Sequence, residues 1–154
     1  MAKLEFENLK AFRALEGKPI PTGDWVSITQ EMIDDFAKAT MDFQWIHVDP
    51  EKAAKHSPFK KTVAHGFMSL ALLSRMLGDC VRVHSATMGV NYGLNKVRFP
   101  SPVLVDSRIR LSGRVGEIED YRENGLKITW HCTVEIEGAD RPACIAEFIS
   151  LMFE

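Results

Sequence analysis

The chain of 154 residues lacks the features that mark several protein classes. Its three cysteines, Cys80, Cys132 and Cys144, are odd in number and widely spaced, so they form neither a disulfide framework nor a metal-ligand pattern. We expect them to be reduced thiols packed among apolar side chains. Charges of one sign never cluster and the formal net charge is -2, so neither a nucleic-acid surface nor a polybasic membrane patch is expected.

Long apolar segments are also missing. The longest, residues 66–73, is too short to span a bilayer, so no membrane insertion is expected. The first residues carry acids and no apolar core of the signal-peptide kind, which predicts a cytoplasmic protein. Without internal repeats or a Gly/Ser linker, residues 1–154 are predicted to form one domain.

The first half of the chain is predicted to be mainly helical. An amphipathic pattern predicts a short helix over residues 5–15, and alternation predicts a strand over residues 24–28. Thr29 is a good N-cap for a helix that ends near residue 39, and Asp49-Pro50-Glu51 is typical of a helix start. Between these two helices, residues 40–48 show no helical period and are predicted to be a loop.

An almost wholly apolar helix is predicted from Gly66 to about Leu77, and such a helix is buried on all sides. The second half supplies alternating patterns that predict strands over residues 87–91, 95–99, 106–119, 126–137 and 143–153. Together these elements predict an α+β domain in which a long antiparallel sheet curls round one central apolar helix.

The loop before the second helix holds a carboxylate and an imidazole, Asp42 and His47, five residues apart. Aromatic neighbours, Phe43 and Trp45, would partly desolvate the carboxylate, and histidine titrates near neutrality, so the pair can exchange protons at pH 7. A purely structural hydrogen bond between the two side chains explains the same spacing.

Gly66 stands at the predicted start of the apolar helix. Its backbone N–H is free and has no side chain beside it, so it can donate to a ligand oxygen, although tight packing alone also explains a glycine there.

His65 is either a ligand contact or a residue that joins the loop to the helix. Lys96 and Arg98 alternate on one strand face, where they either contact coenzyme A phosphates or are simply solvated.

These motifs, in this order, resemble those of MaoC-like dehydratases and (R)-specific enoyl-CoA hydratases, and most closely the branch of the nodulation-protein-N-like proteins. The segments that carry the resemblance are residues 40–51, residues 62–67 and residues 91–103. The resemblance implies a hot-dog fold and reversible hydration of an enoyl thioester, or dehydration of its 3-hydroxyacyl form, carried by coenzyme A or an acyl carrier. It also implies a homodimer or a dimer of dimers.

By the same resemblance, Asp42 and His47 hold the water and move protons, and Gly66 donates its N–H to the thioester oxygen. Ser74 falls where the hydratases have an active-site serine, although a bond to its own helix carbonyls is an alternative. Trp45 is expected to shape the acyl pocket.

No metal and no other cofactor is expected, because the five histidines show no zinc-type spacing.

The sequence departs from the family pattern in two places. Met41 stands where the family usually has glycine, and Gln44-Trp45 replaces the usual Asn-Pro. Two other functions therefore stay open: an acyl-CoA thioesterase on the same fold, and a non-catalytic acyl-thioester-binding protein. The predicted helix over residues 66–77 contains no carboxylate, which favours the hydratase over the thioesterase.

Overall fold

A computed structural model describes residues 2–154. Its helices and strands follow one another in the order β1 (Leu4–Phe6), α1 (Leu9–Phe12), β2 (Val26–Ser27), α2 (Gln30–Thr40), α3 (Trp45–Val48), α4 (Pro50–His56), α5 (Gly66–Ala71), α6 (Leu73–Cys80), β3 (Val81–Val83), β4 (Met88–Arg98), β5 (Arg108–Tyr121), β6 (Gly125–Ile136) and β7 (Cys144–Phe153). A 3-10 turn, Arg13–Leu15, follows α1.

Five strands form one antiparallel sheet in the order β2-β5-β6-β7-β4. The long strands β5, β6 and β7 come from the strongly alternating part of the sequence. Every second residue of β6 is buried, as a strand with one face on the core requires. The predicted α+β arrangement, a long antiparallel sheet packed on an apolar helix, is confirmed.

The central helix consists of α5 and α6, which are separated only by Leu72 and run together from Gly66 to Cys80. Its inner face, which includes Met68, Leu73 and Met76, belongs to the same buried cluster as the apolar side chains of β5, β6 and β7. The prediction that the helix is buried on all sides is wrong for the single chain, because Phe67 is 71% exposed and Ser74 is also exposed.

Side-chain caps explain where two other helices begin. Thr29 Oγ1 accepts from the Met32 N–H at 3.2 Å to start α2, and the Asp49 carboxylate accepts from the Lys52 N–H at 2.9 Å to start α4. Both starts were predicted from the sequence. The predicted loop over residues 40–48 contains one helical turn, α3, which was not predicted.

One helix prediction and one strand prediction need correction. The predicted helix over residues 5–15 begins only at Leu9, because Leu4–Phe6 pairs with β3 in a small parallel sheet and Asn8 caps the helix. The two strands predicted over residues 87–99 are one strand, β4, with irregular register at Asn91/Gly93 and at Leu94/Lys96. These irregularities broke the sequence pattern without ending the strand.

The three cysteines are free and buried, as predicted. Burial raises the pKa of the Cys132 thiol to about 12 and that of Cys144 to about 11, so both are poor nucleophiles.

Within residues 2–154, no helix is both long and apolar enough to cross a membrane.

Candidate active site

Asp42 lies just beyond the C-terminal end of α2. Met41 has φ 59 and ψ 24, a left-handed conformation that ends the helix and reverses the chain. Glycine adopts this conformation at least cost, which explains why a glycine suits the position before the aspartate. Met41 adopts this conformation despite its side chain. The replacement of the family's glycine by methionine therefore does not prevent the turn.

The Asp42 carboxylate is open to solvent. Its Oδ1 accepts from the Gln44 N–H at 3.3 Å, and the side chain is 54% exposed. The expected desolvation by Phe43 and Trp45 is wrong for the single chain, because Phe43 is itself 57% exposed and Trp45 is only half-buried.

His47 lies on α3 and is buried. Its Nδ1 is 2.6 Å from the Val63 carbonyl oxygen, which can only accept a hydrogen bond, so Nδ1 carries the proton of the neutral ring. Nε2 is then left with a lone pair. The backbone contact therefore selects the tautomer in which Nε2 is the base.

The surroundings of His47 keep its ring neutral. Burial lowers the pKa of His47 below its ordinary value, because a charged ring loses the stabilisation of water. The hydrogen bond to Val63 and the carboxylate of Asp42 oppose this shift, whereas the neighbouring His65 adds to it. A ring that is neutral at pH 7 can accept a proton.

His65 lies beside His47 and contacts the backbone of Asp42. Its ring stacks on that of His47 with 3.8 Å between centroids and 21° between planes. Its Nε2 donates to the Asp42 carbonyl oxygen at 3.0 Å, and its Nδ1 is buried with no hydrogen-bond partner among the described residues. The structure therefore brings Asp42, His47 and His65 together.

Gly66 follows His65 directly and is the first residue of α5. As such, its N–H has no intrahelical acceptor. Gly66 and His47 line the same cavity of about 290 Å³, together with Phe99 and Ser69. A Cβ atom at position 66 would lie 3.2 Å from the Phe99 ring, so glycine permits the close approach of the helix start to this ring.

The other predicted site residues lie outside this cavity. Ser74 faces a groove between the central helix and β4, where its hydroxyl donates to Asn91 Oδ1 at 3.2 Å. This bond differs from the predicted alternative of a bond to its own helix. Lys96 and Arg98 line a separate depression on the sheet. The Trp45 ring lies 5.0 Å from the Lys52 ammonium group.

Sequence reasoning missed Gln30, which holds α3 in place. Its amide nitrogen lies 2.8 Å from both the His47 carbonyl oxygen and the Asp34 carboxylate, and its oxygen accepts from the Thr62 hydroxyl at 2.6 Å. In the sequence Gln30 is an ordinary first-turn residue of α2. No local pattern identifies it, because its partners are up to 32 positions away.

The same cluster does not suit a metal ion. One ligand atom from each of Asp42, His47 and His65 lies within 4.8 Å of the others. Ligand lone pairs of imidazoles lie in the ring planes, so two stacked rings direct them side by side rather than toward one point. His65 also uses its Nε2–H for the Asp42 carbonyl. The arrangement fits proton transfer better than ligation.

Two curated relatives are similar in sequence to this chain over most of its length. The chain is 49% identical over 144 residues to 3-hydroxyacyl-thioester dehydratase Z of Mycobacterium tuberculosis, covering 94% of this chain and 95% of the relative. It is 44% identical over 137 residues to nodulation protein N of Rhizobium leguminosarum bv. viciae, covering 88% and 85%.

Among solved structures, the monoamine oxidase regulatory protein from Archaeoglobus superposes with a TM-score of 0.79 at 24% identity, covering 100% of this chain and 99% of that one. At that identity the likeness concerns the fold, which is the predicted hot-dog fold. The model of the MaoC-like domain matches residues 11–135, which include Asp42, His47, His65 and Gly66. The chain therefore belongs to the MaoC-like dehydratase family.

Proposed function

We propose that the protein catalyses the reversible dehydration of a 3-hydroxyacyl thioester to the enoyl thioester. The observation that carries the proposal is the pair formed by Asp42 and His47. A carboxylate oxygen and a ring nitrogen lie within 4.8 Å of each other, a distance that one bridging water spans with two ordinary hydrogen bonds. The 49% identity to a 3-hydroxyacyl-thioester dehydratase supports the same reaction class.

In the hydration direction, His47 Nε2 takes a proton from the water as the water oxygen bonds to C3. Asp42 accepts the second hydrogen of the water and fixes its orientation. The C2–C3 π electrons move toward the thioester oxygen, where the Gly66 N–H stabilises the enolate. The protonated His47 then returns its proton to C2, so the atoms balance and His47 is neutral again. Dehydration follows the same steps in reverse.

The acyl chain is proposed to lie in the groove between the central helix and β4. This groove has a volume of about 300 Å³ and is lined mainly by apolar side chains, including Phe67, Leu70 and Leu94. Phe67 in its wall lies edge-on to Phe99 with 6.1 Å between ring centroids, and Phe99 lines the cavity of His47 and Gly66. Ser74 contributes a hydroxyl to its wall.

Contacts of Lys96 and Arg98 with the carrier phosphates, and a place for Trp45 in the wall of the acyl pocket, stay predictions from the sequence. Of the two predicted roles of His65, its buried hydrogen bond to the Asp42 carbonyl oxygen favours the one that joins the loop to the helix.

We further propose that the chain works as a homodimer, or as a dimer of such dimers, in the cytoplasm, with residues 1–154 as one domain. β4 is an edge strand of the sheet, and nine of its eleven residues are exposed. An open strand edge pairs readily with a second strand. Pairing of β4 with its copy would also cover the exposed face of the central helix.

A thioesterase is less compatible with the site. The central helix does contain one carboxylate, since α6 extends to Cys80 and includes Asp79. That side chain accepts a hydrogen bond from Arg75 at 2.8 Å and lies thirteen residues after Gly66. It is therefore far from the helix start, where a thioester carbonyl is expected.

The proposal is tested by following the hydration of crotonyl-CoA through the loss of enoyl-thioester absorbance. The parent protein should consume the substrate. Asp42→Asn and His47→Gln should each lower kcat by on the order of 100-fold or more, because general acid–base groups contribute about that much. Asp35→Asn and His56→Gln are the matched controls, since both residues are exposed and lie outside the site.

Either of two results would contradict the dehydratase proposal. The first is a parent that leaves crotonyl-CoA and longer enoyl-CoA substrates unchanged. The second is release of free coenzyme A thiol without loss of the double bond, which would identify a thioesterase. In the first case, binding of acyl-CoA without any turnover would identify a non-catalytic binding protein.

A further inference from the structure

His65 is buried, polar and has no step in the proposed reaction. Its side chain is 3% exposed, and its Nδ1 is the buried side-chain polar atom without a partner in residues 2–154. Burying an unpartnered nitrogen is unfavourable, so an apolar residue would pack at lower cost if filling space were the only requirement. The other nitrogen must therefore provide something that an apolar residue cannot.

That nitrogen joins two parts of the site. The Asp42 carbonyl oxygen can only accept, so His65 Nε2 carries the ring proton and donates it at 3.0 Å. Asp42 Oδ2 lies 3.9 Å from the same nitrogen, too far for a hydrogen bond. The contact therefore fixes the backbone of Asp42 and leaves its carboxylate free to bind water.

The ring of His65 also limits the movement of His47. The two rings stack at 3.8 Å, and the Phe36 ring lies 5.0 Å from that of His65. The Val63 carbonyl fixes one nitrogen of His47, but a single hydrogen bond still permits the ring to rotate about that contact. A flat ring stacked against it removes this freedom.

We propose that His65 is a positioning residue, which fixes the Asp42 backbone through its Nε2–H and the His47 ring through stacking. Because Gly66 is the next residue along the chain, the same side chain relates the acid–base pair to the start of the central helix. The inference rests on the proposed hydration reaction for its kinetic test, but its structural test is independent of that reaction.

Two variants separate the two contacts. His65→Gln retains an amide N–H near the position of Nε2 but has no ring to stack. His65→Phe retains a flat ring but cannot donate to Asp42. We expect His65→Phe to lower kcat for crotonyl-CoA hydration by about 10- to 100-fold, since misplaced catalytic groups cost that much. KM should change little, because neither contact involves substrate. His65→Gln should retain more activity than His65→Phe.

The pH profile distinguishes positioning from simple packing. The titratable groups that face His47 are the Asp42 carboxylate and the His65 ring, whereas Asp34 is linked to the His47 carbonyl only through Gln30. Both variants remove an imidazole that lowers the pKa of His47, so the acid limb of kcat/KM should move to higher pH. His56→Gln, at an exposed position, should leave the limb unchanged.

Folded variants with the kcat and acid limb of the parent would overturn the proposal, even if they melt earlier. NMR on 15N-histidine-labelled parent protein provides the second test, which needs no variant. It should show His65 protonated at Nε2 and not at Nδ1, and the opposite tautomer would overturn the proposal. A parent that has the expected tautomer but no hydratase activity would instead contradict the proposed function.

Discussion

His47 acts as a base only while its ring is neutral, and burial extends the pH range over which it is neutral. Because burial lowers the pKa of His47 from its ordinary value of 6.5, we expect the acid limb of kcat/KM to lie below pH 6.5. Both directions of the reaction need the neutral ring, so hydration and dehydration should lose activity over the same interval. Rate measurements from pH 4.5 to 8 check this.

The same shift links stability to pH. The unfolded chain binds this proton at the ordinary pKa and the folded chain binds it only at lower pH. The stability contributed by neutral His47 is therefore fully present above pH 6.5 and is lost as the pH falls through the folded pKa. Urea unfolding of the parent and of His47→Gln should show this loss in the parent alone. An acid limb above pH 6.5 would contradict both expectations.

Met41, in the loop that presents Asp42, adopts a backbone conformation that is unfavourable in free energy for a residue with a side chain. A side chain in the left-handed region costs roughly 1–2 kcal/mol, and the greater freedom of unfolded glycine offsets part of any gain. Since Met41 is 81% exposed, few contacts are lost on substitution. We expect Met41→Gly to raise the free energy of unfolding by up to about 1 kcal/mol without loss of hydratase activity.

Met41→Ala is the matched control for this prediction. It removes the same exposed side chain but keeps the Cβ atom that the left-handed conformation disfavours. Chemical denaturation should therefore show no comparable gain. Equal stability of the glycine and alanine variants would mean that the positive φ at position 41 stores no strain.

At the scale of elements, the start of the central helix depends on its contact with Phe99, the residue that follows β4. Alanine at position 66 would place its Cβ 3.2 Å from the Phe99 ring, so the ring or the helix start must move. Both residues line the cavity that contains His47. We expect Gly66→Ala to lower kcat on the order of 10-fold or more, and Phe99→Leu in the same chain to restore part of the loss.

Gly78→Ala serves as the control on the same helix. A Cβ atom at position 78 would have no neighbour within 4 Å, so this substitution should leave kcat unchanged and stabilise the helix by up to about 1 kcal/mol. Full activity of Gly66→Ala would show that the contact with Phe99 does not position the helix start.

The elements that the sequence predicted best are those whose signals are local. Thr29 and Asp49 marked the starts of α2 and α4 because a helix cap is made within three residues. The strands β5, β6 and β7 were predicted because each buries one face against the core. The pair of β1 with β3 was missed, since Leu4 pairs with Val81 and no local pattern encodes a contact at that separation.

At the scale of the whole molecule, the site shows the same division. Asp42, His47 and Gly66 were predicted from residue type, spacing and family resemblance. The supporting contacts were not: the Gln30 bridge to His47 and the donation from His65 to Asp42 join positions 17 and 23 residues apart. They exist only after the loop, α2 and the central helix have packed together, so tertiary structure was needed to find them.

The exposed face beside β4 leads to a prediction about assembly. Apolar side chains that are 39% to 71% exposed line the grooves between β4 and the central helix: Val90, Tyr92, Leu94 and Phe67. A contiguous apolar surface next to an open strand edge is typical of a protein–protein contact. We expect the parent chain to sediment at twice its monomer mass or a multiple of it.

Leu94→Asp places a charge in this surface and should shift the protein toward the monomer in sedimentation velocity runs. Ile145→Asp is the matched control, because Ile145 is 48% exposed but lies on β7, an interior strand of the sheet. It should sediment like the parent. Leu94→Asp should also reduce hydratase activity directly, since Leu94 lines the groove proposed for the acyl chain, so the sedimentation result alone tests the interface. A parent that is monomeric at micromolar concentration, or dissociation of both variants alike, would show that β4 is not the interface.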